Sequence, residues 1–321
     1  MKIKMLYADI KSDIEIIENE LEQALNSSSH LLNDASIHLL QAGGKRIRPV
    51  FTLLSAKFGD YNIERMKNIA VPLELIHMGS LVHDDVIDDS DMRRGRETVK
   101  AQWNNRVAMY TGNFIFARAL EYVTSIENPR AHQILAKTMV ELVNGEVIQI
   151  EDKFRLDQNL KDYFRRIKRK TALLIESSCE LGAVVSGADE KTVRHLKRYG
   201  YFVGMSFQIV DDILDFTATD KQLGKPAGSD LMQGNITLPI LLMKDNPLLA
   251  PYLAKVSTTG LSEQERQNML ALVRNSDAIK EATKISNLYL KKALKEVEAL
   301  PDHPMKKKLR DIALFMGKRK S

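Results

Sequence analysis

One cysteine, Cys179, occurs in 321 residues, so an internal disulfide framework is excluded. Such scarcity fits a reducing compartment. Glycine (16) and proline (9) are also sparse, and few breakers over a long chain favour long helices over strands and turns. No apolar run reaches the roughly 18 residues that a membrane-spanning helix needs. The opening MKIKMLYADIKSDIEIIENE has no uninterrupted apolar stretch of the signal-peptide kind. These absences predict a soluble, cytoplasmic protein with at most transient membrane contact. Aromatics are 6% and Trp103 is the lone tryptophan, which speaks against a nucleic-acid binder built on stacking rings. Neither sign of charge dominates: Lys+Arg 47 against Asp+Glu 42 gives +5, a balance that permits an anionic substrate without proving one. Flexible linkers, low-complexity tracts and repeats of solenoid period are missing too, so residues 1–321 are expected to form one domain.

What is present is helical spacing. Hydrophobic residues are 44% and charged residues 28%, enough for a large core and too balanced for a disordered chain. Apolar residues recur three and four apart, as at Ile14, Ile17, Leu21 and Leu25. Short breaks such as Gly43-Gly44, Gly59-Asp60 and Asn128-Pro129 divide the chain into about ten to fourteen helices. The fold class that follows is all-α, a single large helical bundle. Two segments, from about Glu64 to Asp89 and from about Lys191 to Phe216, read as apolar nearly all round, the pattern of central helices.

Both central segments end in aspartates: Asp84-Asp85-x-x-Asp88 and Asp211-Asp212-x-x-Asp215. On a helix, residues four apart share a face, so Asp84 projects with Asp88 and Asp211 with Asp215. Like charges so placed repel, and at the end of an apolar helix they also lose hydration. A cation relieves both costs, and Mg²⁺ prefers carboxylate oxygen, completing its shell with water and substrate phosphates. One such cluster could be a solvated helix end; two argue for function. An EF-hand from Asp89 fails, because Arg94 stands where glycine is needed. A histidine-aspartate phosphohydrolase would need more His and Asp ligands than this chain offers around His77 and His83.

Matched cations accompany the acids. Gly43-Gly44-Lys45-Arg46-Ile47-Arg48-Pro49 sets three of them after a double glycine at a helix start, where backbone and dipole favour an anion. Arg93-Arg94-Gly95 follows the first acidic cluster, and guanidinium groups grip phosphate in a bidentate fork. The run Arg165 to Lys170 and the tail Lys318-Arg319-Lys320 read first as solvated faces, with the tail also able to close over a phosphate. Acidic metal ligands, phosphate-reading cations and apolar helices together describe a diphosphate with a hydrophobic body.

With these residues in view, the chain resembles the trans-isoprenyl diphosphate synthases, the head-to-tail polyprenyl synthetases, from about residue 10 to the C-terminus. The likeness lies in GGKRIRP, His77, the two D-D-x-x-D motifs, Arg93-Arg94-Gly95, Gly145-Glu146-x-x-Gln149, Lys170-Thr171, Gln208 and Gly224-Lys225, all in order. Within the family it is most similar to the larger, motif-bearing subunit of two-component bacterial synthases that serve menaquinone side chains. The resemblance implies an isoprenoid-synthase bundle and a Mg²⁺-dependent condensation of isopentenyl diphosphate onto an allylic diphosphate such as farnesyl diphosphate. It also implies a small partner subunit. Asp84, Asp85, Asp88, Asp211, Asp212 and Asp215 would form the catalytic carboxylate set, with Asp84, Asp88 and Asp211 holding metal. Lys45, Arg48, His77 and Arg94 would bind isopentenyl diphosphate. Arg93, Lys170, Thr171, Gln208 and Lys225 would bind the allylic diphosphate. No side-chain nucleophile is required, so Cys179 is expected in the core. Asn113 stands where the family often has aspartate, which leaves the setting of a nearby cation open.

Helix geometry places Ile76, Gly79 and Ser80 one and two turns below Asp84. Family members with short products often carry an aromatic plug there. This chain has none from Val71 to His83, so a long product is expected, roughly thirty to thirty-five carbons by the closer likeness. The competing explanation is that Gly79 and Ser80 are small for helix packing. A class I terpene cyclase and a regulatory synthase subunit are the functional alternatives. The first has no need of Lys45, Arg48 and His77, and the second tends to lose the aspartates.

Overall fold

The computed structural model describes residues 8–319, and its helices match the all-α expectation. Shorter helices, such as Val99–Gln102 and Asp220–Leu223, take the number past the ten to fourteen expected, and twelve described helices have eight or more residues. In chain order they are α1 (Lys11–Ala24), α2 (His30–Gln41), α3 (Ile47–Ala56), α4 (Ile63–Ile87), α5 (Asn105–Thr124), α6 (Pro129–Asp152), α7 (Leu160–Ile167), α8 (Leu173–Val185), α9 (Glu190–Thr217), α10 (Glu263–Arg274), α11 (Asp277–Glu298) and α12 (Pro304–Gly317). The starts follow capping chemistry. Asn62 accepts the amides of Glu64 and Arg65 at the head of α4, and Asn104 accepts that of Val107 at α5. Asn159 and Asp162 form a reciprocal capping box on α7.

The chain divides into two compact units. Unit one comprises Met1–Met139, Leu174–Gly200 and Glu296–Ile312; unit two comprises Val140–Leu173, Tyr201–Lys295 and Ala313–Ser321. In unit one, α4 is the buried axis. Met66, Ile69, Leu73, Leu75, Ile76 and Val82 are enclosed on successive turns, and even Pro72 lies inside the helix. Its main packing partner is α5. Helix α3 is buried from Pro49 to Ala56, with Gly182 of α8 pressed against the Thr52 carbonyl. Tyr199 donates to the Leu309 carbonyl at 2.7 Å and meets the Phe51 ring edge-on. Cys179 is enclosed as expected, and burial pushes its thiol up to about 12.

In unit two, the C-terminal half of α9 is the axis. Met205, Ile209 and Phe216 share a core with Tyr163, Ile167, Leu231, Leu238 and Met269. Gly204 lets α9 approach Ala172 so closely that a Cβ would stand 2.5 Å from its Cα. One sequence expectation needs correction. Helix α9 is not apolar all round: Glu190, Lys191, Arg194 and Arg198 are exposed along its first turns, and no exposed residue follows from Tyr199 until Asp211. The polar residues recur at helical spacing, so this part of α9 has one wet face.

A small sheet escaped the sequence reading. Met92–Arg93 pairs antiparallel with Arg96–Glu97, the only sheet among the described residues. Arg94 (φ 53°) and Gly95 (φ 78°) are both left-handed, as a type I′ hairpin turn demands. Two-residue strands carry no alternation to detect.

Candidate functional site

Unit one gathers cations around one histidine. The double glycine delivers the chain to α3 through Arg46, whose backbone is left-handed (φ 45°) at the N-cap. Its side chain is enclosed and held by two glutamates: Glu18 at 2.7 and 3.1 Å, and Glu74 of α4 at 3.3 Å. Gly44 has no Cβ for a physical reason. One there would stand 2.9 Å from Arg46 Nη1 and 3.0 Å from Arg94 Nη1. Lys45 is exposed beside them. Arg48 occupies the first turn of α3 with its Nε enclosed and unpartnered. Burial lowers its guanidinium to about 10, with Arg94 pulling the same way and Glu74 opposing. His77 is driven well below its ordinary value by burial first, then by Arg48, Arg94, Arg93 and Arg46. It is therefore neutral at pH 7, one N–H donor among four guanidinium groups. A positive cluster in which Arg48 keeps an unpartnered Nε beside a neutral donor is suited to an anion with several oxygens.

The first acidic motif ends α4. Asp84 is buried, and Asp88 is the C-cap residue, its amide donating to the Asp84 carbonyl at 2.8 Å. Asp85 turns to the hairpin. Arg93 meets its Oδ1 through Nε and Nη2, each at 2.8 Å. Burial still raises Asp85 above the usual carboxylate range, against the pull of Arg93. Arg93, expected to face an allylic diphosphate, is thus engaged with the motif itself.

The residues expected to set product length lie on α4 as placed. Ile76 is fully buried, and Ser80 donates to the His77 carbonyl at 2.8 Å. Gly79 does not border open space. A Cβ there would meet Phe116 of α5 at 3.2 Å and the Gly112 carbonyl at 3.3 Å. Its smallness therefore serves helix packing, and an aromatic ring absent from α4 is supplied by α5. Gly112 in turn lies under the His83 ring, which packs on Phe116 at 5.5 Å. Asn113 is exposed on α5.

Unit two treats the second motif differently. Asp212 is enclosed, accepting from Tyr163 at 2.6 Å and from Gln208 at 2.8 Å. Thr171 donates to Gln208 at 2.6 Å, completing a chain from Thr171 through Gln208 to Asp212. Asp215 is enclosed as well, held by Lys225 at 3.1 Å and by the Ser229 hydroxyl and Asp230 amide at 3.3 Å. Burial pushes Asp212 and Asp215 each up to about 7. Lys225 also pairs with Asp230 at 2.6 Å. Only Asp211 faces outward, 52% exposed, and it is paired with Arg319. The Arg319 guanidinium lies over the Phe207 ring at 4.1 Å. Thus the C-terminal cation Arg319 touches a carboxylate here; Lys318 is exposed, and Lys320 lies outside the described residues.

Lys170 and Thr171 sit in a π-helical turn, Lys168–Ala172, between α7 and α8. Such turns concentrate at functional sites. Lys170 reaches Glu146 at 3.6 Å, and Gly145 makes room for Arg169, whose Cβ would be 2.7 Å from a Cβ there. The basic run is no solvated face throughout. Arg166 is buried and donates to Gln158 at 2.6 Å and to the Ile236 carbonyl, and Arg169 pairs with Glu141 at 2.8 Å.

The donors fit Mg²⁺. They are all oxygen, on helix ends, and no three potential ligands converge as a ready-made cage among the described residues. Mg²⁺ is commonly held by one or two carboxylates, with water and substrate phosphates filling the rest. Sequence reasoning missed Glu18, Glu74 and Tyr163. Glu74 left one usable sign, an acid inside the apolar run VPLELIH.

Residues 29–268 match the family model described as polyprenyl synthetase. The chain is 55% identical over 320 residues to heptaprenyl diphosphate synthase component 2 of Geobacillus stearothermophilus, covering 99% of each. Among solved structures, it is similar to heptaprenyl diphosphate synthase from Staphylococcus aureus: TM-score 0.91, 45% identity, 97% of this chain and 99% of that one. A polyprenyl synthase from Caulobacter crescentus, complexed with calcium and isoprenyl diphosphate, gives TM-score 0.94 at 29% identity, over 100% and 98% of the chains.

Proposed function

The chain belongs to the polyprenyl synthetase family, and from that premise we propose that it is the catalytic subunit of a two-component, long-chain trans-prenyltransferase. It condenses isopentenyl diphosphate onto an allylic diphosphate such as farnesyl diphosphate, to a product of roughly thirty to thirty-five carbons for menaquinone side chains. A small component 1 subunit is its partner, as the component 2 name of its relative suggests. The observation that carries the reading is the cluster of Arg46, Arg48, Arg93 and Arg94 around a neutral His77, on the helix that ends in Asp84 and Asp88. The helices α6, α9, α11 and α12 run through the boundaries between the two units, which supports reading the chain as one domain. No described helix is long and apolar enough to cross a membrane, in keeping with work in the cytoplasm.

Asp84, Asp88 and Asp211 would hold Mg²⁺, which supplies charge neutralisation at the leaving diphosphate. The residues of the chain supply the rest. Lys45, Arg48, Arg94 and the His77 N–H hold isopentenyl diphosphate. Lys170, Thr171, Gln208, Lys225 and Arg93 serve the allylic diphosphate. Arg93, Lys170 and Lys225 stand beside carboxylates before ionisation begins, and each exchanges a carboxylate partner for the charge developing on the diphosphate. The hydrocarbon extends along α4 on the Ser80 side, since Phe116 fills the space beside Gly79.

The test is incubation of the purified chain with Mg²⁺, farnesyl diphosphate and labelled isopentenyl diphosphate, alone and with a small-subunit candidate. Mass spectrometry reads the products. Chains of about thirty to thirty-five carbons in the mixture only are the expected result. The same chains without the partner keep the chemistry and reject the obligate subunit. No elongation in either tube, by folded protein, rejects the reading.

A further inference from the structure

We infer that Glu74 is a positioning residue for diphosphate binding, the buried carboxylate that sets the charge and placement of the arginines around His77. The inference rests on that cluster being a diphosphate site, as proposed above. Glu74 lies in the middle of α4, three residues before His77, and is 3% exposed. An ionised carboxylate in such surroundings is costly unless its charge is matched. One oxygen takes Arg46 Nη1 at 3.3 Å; the other, Oε2, is enclosed with no hydrogen-bond partner. Glu74 also acts electrostatically on Arg48 and Arg94, raising the proton affinity of both. It is thus the buried counter-charge shared by three guanidinium groups.

Geometry makes Arg46 the lever. Its left-handed backbone turns the chain into α3, a conformation that is unfavourable for a non-glycine residue. Two glutamates from different helices, Glu18 and Glu74, hold the side chain that stabilises this turn. Arg48 follows two residues later, so the anchor on Arg46 also fixes where Arg48 points. Arg46 itself has its guanidinium occupied by carboxylates, while the enclosed Nε of Arg48 has no partner. Arg46 therefore positions, and Arg48 remains available to an anion.

The experiment compares Glu74→Gln and Glu74→Asp with wild type in the full chain. Gln keeps the shape and an acceptor for Arg46 but removes the charge. In E74Q, KM for isopentenyl diphosphate rises about tenfold, while kcat and KM for the allylic diphosphate stay within about twofold. A residue that only packs would shift kcat and both KM values together. Should E74Q fail to fold, E74D carries the test: charge kept but withdrawn, and KM for isopentenyl diphosphate raised about threefold with kcat unmoved. A folded variant with an unchanged KM for isopentenyl diphosphate, or with all parameters shifted together, overturns the inference. Wild type that elongates in the same assay assigns such a failure to Glu74 alone; wild type that does not elongate rejects the proposed function.

Discussion

The two acidic motifs share the pattern D-D-x-x-D, yet their surroundings assign the carboxylates differently. At the end of α4, Asp85 is tied to Arg93 of the adjoining hairpin, and Asp84 and Asp88 close the last turn. On α9, Asp212 and Asp215 both turn inward. One is satisfied by Tyr163 and Gln208, the other by Lys225, Ser229 and Asp230. Asp211 alone faces out, and Arg319 covers it. The spacing places like charges on one helical face, but the neighbours decide which of them bind a ligand and which brace the fold.

Four substitutions test that division, in order of effect. If Asp84 and Asp211 both serve metal and diphosphate, D84N and D211N each lower kcat by about a hundred- to a thousandfold, with little change in stability. Labelled isopentenyl incorporation over a Mg²⁺ series reads this. A D211N protein with near-wild-type turnover would leave catalysis to the first motif.

Y163F probes the bracing half of the second motif. It strips one donor from a buried carboxylate, at a cost of about 1–3 kcal/mol. Chemical denaturation should show that loss, with turnover within several-fold of wild type. A stable Y163F would mean that Gln208 suffices for Asp212.

R319Q has the smallest effect. The pair it breaks is half open to water, where ion pairs are weak. Releasing Asp211 should tighten divalent-ion binding about threefold, measurable by Mn²⁺ electron paramagnetic resonance on the resting protein as well as by the Mg²⁺ dependence of turnover. Weaker binding would show that Arg319 supports the metal site instead of competing with it.

Legibility followed the range of the interactions. The bounds of α4 and α9 were visible to within a few residues, because helical spacing and capping are local. GGKRIRP was readable as the start of a helix carrying phosphate-binding cations. The hairpin at Met92–Glu97 was hidden by its size. The π-helical turn was hidden because nothing in Lys168–Ala172 distinguishes it from α-helix. Arg166 is buried although its run reads as solvated, since a basic run does not say which member turns inward. Gly79 was read for the space beside it, and α5 filled that space with Phe116.

By itself the sequence determined the helical class, the paired acidic clusters and the cations that accompany them, all features of residue type and short spacing. Tertiary structure decided the rest: that Asp212 and Asp215 are braces, that Arg93 belongs to Asp85, and that Glu74 sits unseen among arginines. Each of those contacts joins residues on different elements, and their cost or benefit depends on which charges lose water together, a quantity set only once the helices have packed.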